Sequence, residues 1–123
     1  MFNTEILTLL GGLEVGGEDI PVVWNYYDGN AMKYITFIEN YKDNSFSADD
    51  ELQAFVSYYD FDIYVKRGKG SYFPIIEAIN DILTAGGWTR QLTRESPDMY
   101  EADTGYFHKT LCFAKESEVL KNG

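Results

Sequence analysis

His108 and Cys112 are the side chains of this 123-residue chain best suited to nucleophilic or metal chemistry. A cysteine nucleophile needs an imidazole beside its thiol, and a structural zinc site needs four ligands of this kind. The chain has one histidine and one cysteine. Four positions apart on a strand they share a face, but they stand too far apart along it to form a direct pair. The expected roles are a partly buried structural histidine and a buried thiol, with no metal site.

The carboxylates and cations raise the same question. Asp49-Asp50-Glu51 is acidic enough to suggest a divalent ion. Hard-cation loops, however, alternate their ligands around a central glycine, and Asp43-Asn44-Ser45-Phe46 does not supply that pattern. A solvated acidic loop is expected. Arg67-Gly68-Lys69-Gly70 precedes a helical stretch, where anions can bind, but a phosphate loop needs GxxxxGK followed by Ser or Thr. The order here is wrong, so a strand-to-helix turn is expected. Lys66, Arg67 and Lys69 form the one basic cluster of the chain, suited to acidic residues of a neighbouring subunit. Asp60 and Asp62 alternate between Tyr58 and Tyr64 on one strand face. Hydrolases place paired acids across a cleft, and nothing in the pattern indicates one. A half-exposed face or an interface is expected instead. With no nucleophile elbow or dinucleotide fingerprint either, the chain is expected to be no enzyme, with no catalytic residue, cofactor or metal.

The elements that position these residues follow from periodicity. Phe55, Ser57, Tyr59, Phe61, Ile63 and Val65 alternate with Val56, Tyr58, Asp60, Asp62, Tyr64 and Lys66, the period of a strand with one face more buried. After Gly68 and Gly70 the period changes: Tyr72, Ile75, Ile76, Ile79, Ile82 and Leu83 form a helical stripe. Ser71 is the expected N-cap, Pro74 is tolerated in the first turn, and Gly86-Gly87 should stop the helix. Upstream, Thr4–Leu10 reads as a short helix capped by Asn3 or Thr4. Pro21–Tyr27 and Met32–Tyr41 read as strands joined by the turn Asp28-Gly29-Asn30 into an antiparallel hairpin. Lys42–Asp50 is polar and is expected to be a loop. Trp88–Thr93 and Tyr106–Ala114 read as further strands, and residues 116–123 as a frayed tail. Residues 1–19 are a candidate flexible segment of a single domain. The expected fold is α+β: a mainly antiparallel sheet of four to five strands, one long helix on one face, and a short N-terminal helix.

Apolar residues make up 45% of the chain, enough for a core, and aromatics 16%, with ten Tyr. Tyr-rich faces suit protein interfaces. The formal charge is −10. Residues 1–60 carry eleven acids against two bases, and residues 61–123 nine against eight. Such a balance disfavours general nucleic-acid contact. It fits a channel wall that DNA slides past, or a basic partner. One cysteine, no basic leader and no apolar run of membrane length suggest a soluble protein of the reducing cytoplasm.

The second half resembles the tail-completion, or tail-terminator, proteins of long-tailed phages and prophages of Gram-positive hosts. The residues that carry this are Tyr59–Lys66, Ile75–Leu83, Gly86-Gly87-Trp88 and Tyr100–Lys109, and the likeness extends over residues 21–116. It implies a structural protein of the virion. Copies would form a hexameric ring capping the head-proximal end of the tail tube. The ring would contact the major tail tube protein and the head-tail connector, and DNA would pass through its lumen without specific binding. Assembly would take place in the host cytoplasm. The glycine-rich start departs from the longer N-terminal helix of the family. A closed ring needs two unlike complementary patches per subunit. Tyr58, Tyr64, Lys66, Arg67, Lys69, Phe46, Asp49 and Asp50 are the candidates, with Tyr26 and Tyr27 as further aromatics.

Three other readings compete, the least favoured being a small enzyme with a Tyr-lined pocket, for which the sequence offers no acid–base pair. A head-tail connector or stopper component differs only in the ring it meets. An acidic DNA-mimic inhibitor would need surface acids at regular, phosphate-like spacing, whereas the acids here are scattered.

Overall fold

The computed structural model describes residues 2–46 and 53–119. Its frame is three strands of 14 residues each: β4 (Lys33–Phe46), β5 (Gln53–Lys66) and β8 (Tyr106–Val119). β5 lies between the other two and is antiparallel to both. Shorter strands complete this sheet: β3 (Val22–Trp24) beside β4, and β6 (Thr89–Arg90) and β7 (Met99–Glu101) beside β8. A separate two-stranded sheet pairs β1 (Glu14–Val15) with β2 (Glu18–Asp19). Helices α1 (Asn3–Leu10) and α2 (Phe73–Ala85) cover one face of the large sheet.

The alternation in β5 decides which face they cover. Tyr59, Phe61, Ile63 and Val65 are buried, and Ile35, Phe37, Leu111 and Phe113 stand beside them on β4 and β8. Ile6 and Leu10 of α1, and Ile75, Ile76, Ile79 and Leu83 of α2, close that core. Apolar burial at roughly 25 cal/mol per Å2 holds the layers together. Tyr59 also anchors the chain start: its hydroxyl accepts from the Phe2 N–H at 2.8 Å and donates to Asn3 Oδ1 at 2.8 Å.

The strands outrun this core. Fourteen residues span about 46 Å in a strand, whereas the 13 residues of α2 span about 20 Å. Tyr41, Lys42 and Asp43 are all exposed although successive side chains point to opposite faces, so β4 leaves the core there with both faces in water. A β-bulge at Asn40 marks the departure: Glu39 opposes Tyr59 and Tyr41 opposes Tyr58, leaving Asn40 as the extra residue.

Several expectations are corrected. The α+β arrangement of four to five mainly antiparallel strands with one long helix gives way to a mixed, mostly-sheet architecture. It has a six-stranded and a two-stranded sheet and two helices of 8 and 13 residues among the described residues, neither of them a single dominant long helix. β3 and β4 are not a hairpin but pair in parallel. Parallel neighbours usually need a long crossover. Here β3 is three residues long, so the segment 25–32 has only about 10 Å to retrace. Asn25, at φ 67°, turns the chain, and Tyr27 folds back to stack on Tyr34 at 4.4 Å. Lys42–Phe46, expected as loop, is strand, and β8 continues past Ala114 to Val119. Trp88–Thr93 yields the short β6, after which Leu92–Arg94 form a 3₁₀ turn. Neither expected N-cap acts as one. Tyr72 occupies that position before α2, with Ser71 Oγ accepting from the Phe73 N–H at 3.1 Å; Phe2 occupies it before α1.

Candidate assembly surface

The face of the large sheet away from the helices collects most of the polar and aromatic side chains singled out above. Register places Tyr34, Thr36, Ile38, Tyr41 and Asp43 of β4 on it. The even-numbered residues from Val56 to Lys66 of β5, and from Tyr106 to Glu116 of β8, join them. Two clusters divide this face.

The first centres on His108. Its Nε2 lies 2.8 Å from Asp62 Oδ1 and its Nδ1 3.1 Å from Glu101 Oε2. Asp62 Oδ1 also accepts from Thr110 Oγ1 at 2.6 Å. The ring stacks on Tyr64 at 4.2 Å, Tyr64 on Tyr34 at 4.6 Å, and Tyr34 on Tyr27. Four aromatic rings therefore run in one column across β8, β5, β4 and the segment that precedes β4. Burial alone pulls the His108 pKa down, but hydrogen bonds and charge from Asp62 and Glu101 outweigh it, and the value is raised. Burial, followed by the charges of Asp62 and Glu101, raises the Tyr64 hydroxyl well above its ordinary range. With both ring nitrogens held by carboxylates, the imidazole is tied into the sheet in a structural role.

The second cluster centres on Arg94. Its guanidinium lies 4.3 Å from the Tyr58 ring centre and 5.5 Å from that of Tyr41, a cation–π contact on a cross-strand tyrosine pair. Asn40 Nδ2 donates to Asp60 Oδ2 at 2.9 Å. Cys112 is buried beneath, and that burial, with Asp60 close by, pushes its thiol up to about 11. The thiolate needed for nucleophilic attack is thus disfavoured.

The sequence-derived interface residues fall into two groups. Tyr58 and Tyr64 lie on this face, one in each cluster. Lys66 donates to the Thr104 carbonyl at 2.6 Å and lies 4.8 Å from the Tyr106 ring. Arg67 and Lys69 are exposed in the turn before α2. Among the described residues these two are the cations with no side-chain partner: Lys33, Arg90, Lys109 and Lys115 pair with carboxylates, and Lys42, Lys66 and Arg94 lie over aromatic rings. Phe46 ends β4 about 45 Å from this turn along the strands. Asp49 and Asp50 lie outside the described residues. Sequence reasoning missed Arg94, Tyr41, Asn40 and Glu101, because each meets its partner across strands and carries no local signature.

A further property concerns the sheet's rims. Among the described residues no strand pairs with the outer side of β4 beyond Phe37, where β3 ends, or with the outer side of β8 from Lys115 to Val119. The projecting part of the sheet therefore has two open edges of different sequence. Among the described residues no group of acids, histidine and cysteine is arranged to hold a metal ion, and no helix is long and apolar enough to cross a membrane. No protein-family model matches this chain, and no curated protein matches it.

Proposed function

We propose that this chain is a non-enzymatic subunit of a tail-terminator ring in a phage or prophage virion. The ring caps the tail tube and joins it to the head connector. The observation that carries the reading is the pair of unlike open edges on the projecting sheet. Head-to-tail rings close only when one protomer offers two different, complementary surfaces, and open strand edges are ready-made sites for pairing with another chain. β4 and β8 both run antiparallel to β5. Rotation about an axis along the strands sets β4 of one copy beside β8 of the next, running in the same direction.

Two further features support the reading. The sheet face away from the helices carries Asp43, Asp60, Asp62, Glu101 and Glu116 against Lys66, Arg94 and His108, an acidic excess that disfavours the phosphate backbone. The histidine and the cysteine are held in structural roles: His108 between two carboxylates, Cys112 buried with its thiol pushed up to about 11. Electron microscopy of particles assembled without this chain tests the proposal. Abnormally long tail tubes and unjoined heads and tails are expected; joined virions with tails of normal length overturn it.

A further inference from the structure

The two carboxylates that meet the His108 ring are not equivalent. Asp62 Oδ1 lies 2.8 Å from Nε2, and Glu101 Oε2 lies 3.1 Å from Nδ1. The Asp62 side chain is 23% exposed and that of Glu101 38%. Asp62 stands on the central strand β5, where Thr110 Oγ1 also donates to it. Glu101 ends the three-residue strand β7, and among the described residues no strand pairs with the outer side of β7. An imidazolium has two N–H donors and satisfies both acceptors, whereas a neutral imidazole has one. Once the ring loses a proton, one carboxylate faces a bare nitrogen lone pair.

That carboxylate is Glu101. A proton kept on Nε2 preserves the shorter bond in the drier place, where an unmet charge costs more. The more exposed Glu101 can turn to water instead. The charged or titratable groups facing the ring are Asp62 and Tyr64 of β5 and Glu101 of β7. Lys66 shares this sheet face, with its Nζ on the Thr104 carbonyl and over the Tyr106 ring.

Little else fastens β7. Met99, Tyr100 and Glu101 oppose His108, Phe107 and Tyr106 on β8. Tyr100 packs on Phe107 at 4.8 Å, and both rings are partly exposed. The contact with His108 is the one ion pair of β7 among the described residues.

We propose that His108 is a proton-held clasp: the imidazolium fastens β7 to the sheet, and deprotonation keeps the Asp62 bond, frees Glu101 and loosens β7 from the outer side of β8 at Tyr106–His108. Burial lowers the His108 pKa, but Asp62 and Glu101 raise it by more. The clasp is therefore closed in mild acid and opens as pH rises through the raised value. The device belongs to the single chain and stands whether or not copies form a ring.

Nuclear magnetic resonance of the full chain from pH 5.5 to 8.5 tests this. Imidazole 15N shifts report which nitrogen keeps the proton, and hydrogen exchange reports opening of the β7–β8 pair, with β5 amides as the internal reference. Neutral His108 is expected to carry its proton on Nε2. Opening at β7 is expected to become about tenfold more frequent across the titration, relative to β5. Glu101→Gln, at a partly exposed edge position, is expected to abolish that rise. A neutral ring protonated on Nδ1 overturns the proposal. So does β7 protection that does not change with pH, or an equal rise in Glu101→Gln.

Discussion

Trp88 donates its indole N–H to Glu5 Oε2 at 2.9 Å, tying the exit of α2 to the first turn of α1 across 83 positions of the chain. Lys115 Nζ bonds the same oxygen at 2.7 Å and the Gly86 carbonyl at 2.9 Å. One half-exposed carboxylate thus joins α1, the segment after α2, and β8. Glu5→Ala should cost about 1–2 kcal/mol, since it strands a buried indole donor, while the exposed side of the ion pair is screened by water. Glu5→Gln, which keeps an acceptor, should cost less. Urea denaturation checks this; a midpoint unchanged in Glu5→Ala would sink the idea that this carboxylate holds the layers together.

A pH dependence follows from His108. Its pKa is raised in the folded chain by Asp62 and Glu101. Its contribution to stability is therefore complete below about 6.5, the value for an unfolded histidine, and is lost as pH rises through the higher folded value. Tyr64 stacks on the same ring, and its hydroxyl is held well above its ordinary range by burial and by the charges of Asp62 and Glu101. Denaturant midpoints measured from pH 5 to 9 are expected to fall in the wild type and to fall less in His108→Gln. Equal slopes for the two proteins would show that the imidazole is not the group responsible.

The Cys112 thiol should be inert in the native state. It is buried, and its pKa stands near 11. Iodoacetamide at pH 8 is expected to label the unfolded chain readily and the folded chain slowly, with the folded rate governed by opening of the structure. Arg94→Ala removes the cation lying over Tyr58 and should raise the folded rate. Rapid labelling of the folded wild type would contradict the buried placement.

Gly87 ends α2 at φ 91°. A side chain there is strained, so Gly87→Ala should cost about 1–2 kcal/mol although the nearest atoms, on Lys115, are 3.7 Å from the new Cβ. Thermal melts distinguish this from the neighbouring Gly86→Ala, at φ −84°, where the added carbon lies 2.9 Å from the movable end of Leu9 and in ordinary contact with the Leu83 and Ile82 carbonyls. A harmless Gly87→Ala would mean that the turn relaxes.

The parts of the fold legible in the sequence were those with one wet and one dry side. Phe55–Lys66 alternates cleanly because its odd positions enter the core, and the helix after it shows its stripe for the same reason. Lys42 and Asp43 give no such signal because they are exposed on opposite faces, so their polarity reads as loop. Pairing direction was illegible at Asp28-Gly29-Asn30, whose local turn chemistry favours a hairpin, while tertiary stacking of Tyr27 on Tyr34 selected the parallel arrangement. At the candidate surface, residue types such as Tyr64 and Arg67 stood out alone. The carboxylate–imidazole–carboxylate bridge, formed from residues on three strands, did not.

The rims of β4 and β8 that no strand covers among the described residues also bear on how the free chain behaves. A bare strand margin joins whatever strand it meets first, including a wrong one. Lys42 and Asp43 line one margin and Glu116 stands near the other, all of them exposed, and charge at a margin discourages indiscriminate joining. The net charge of −10 adds repulsion between free copies, and strong brine, by screening it, favours clumping.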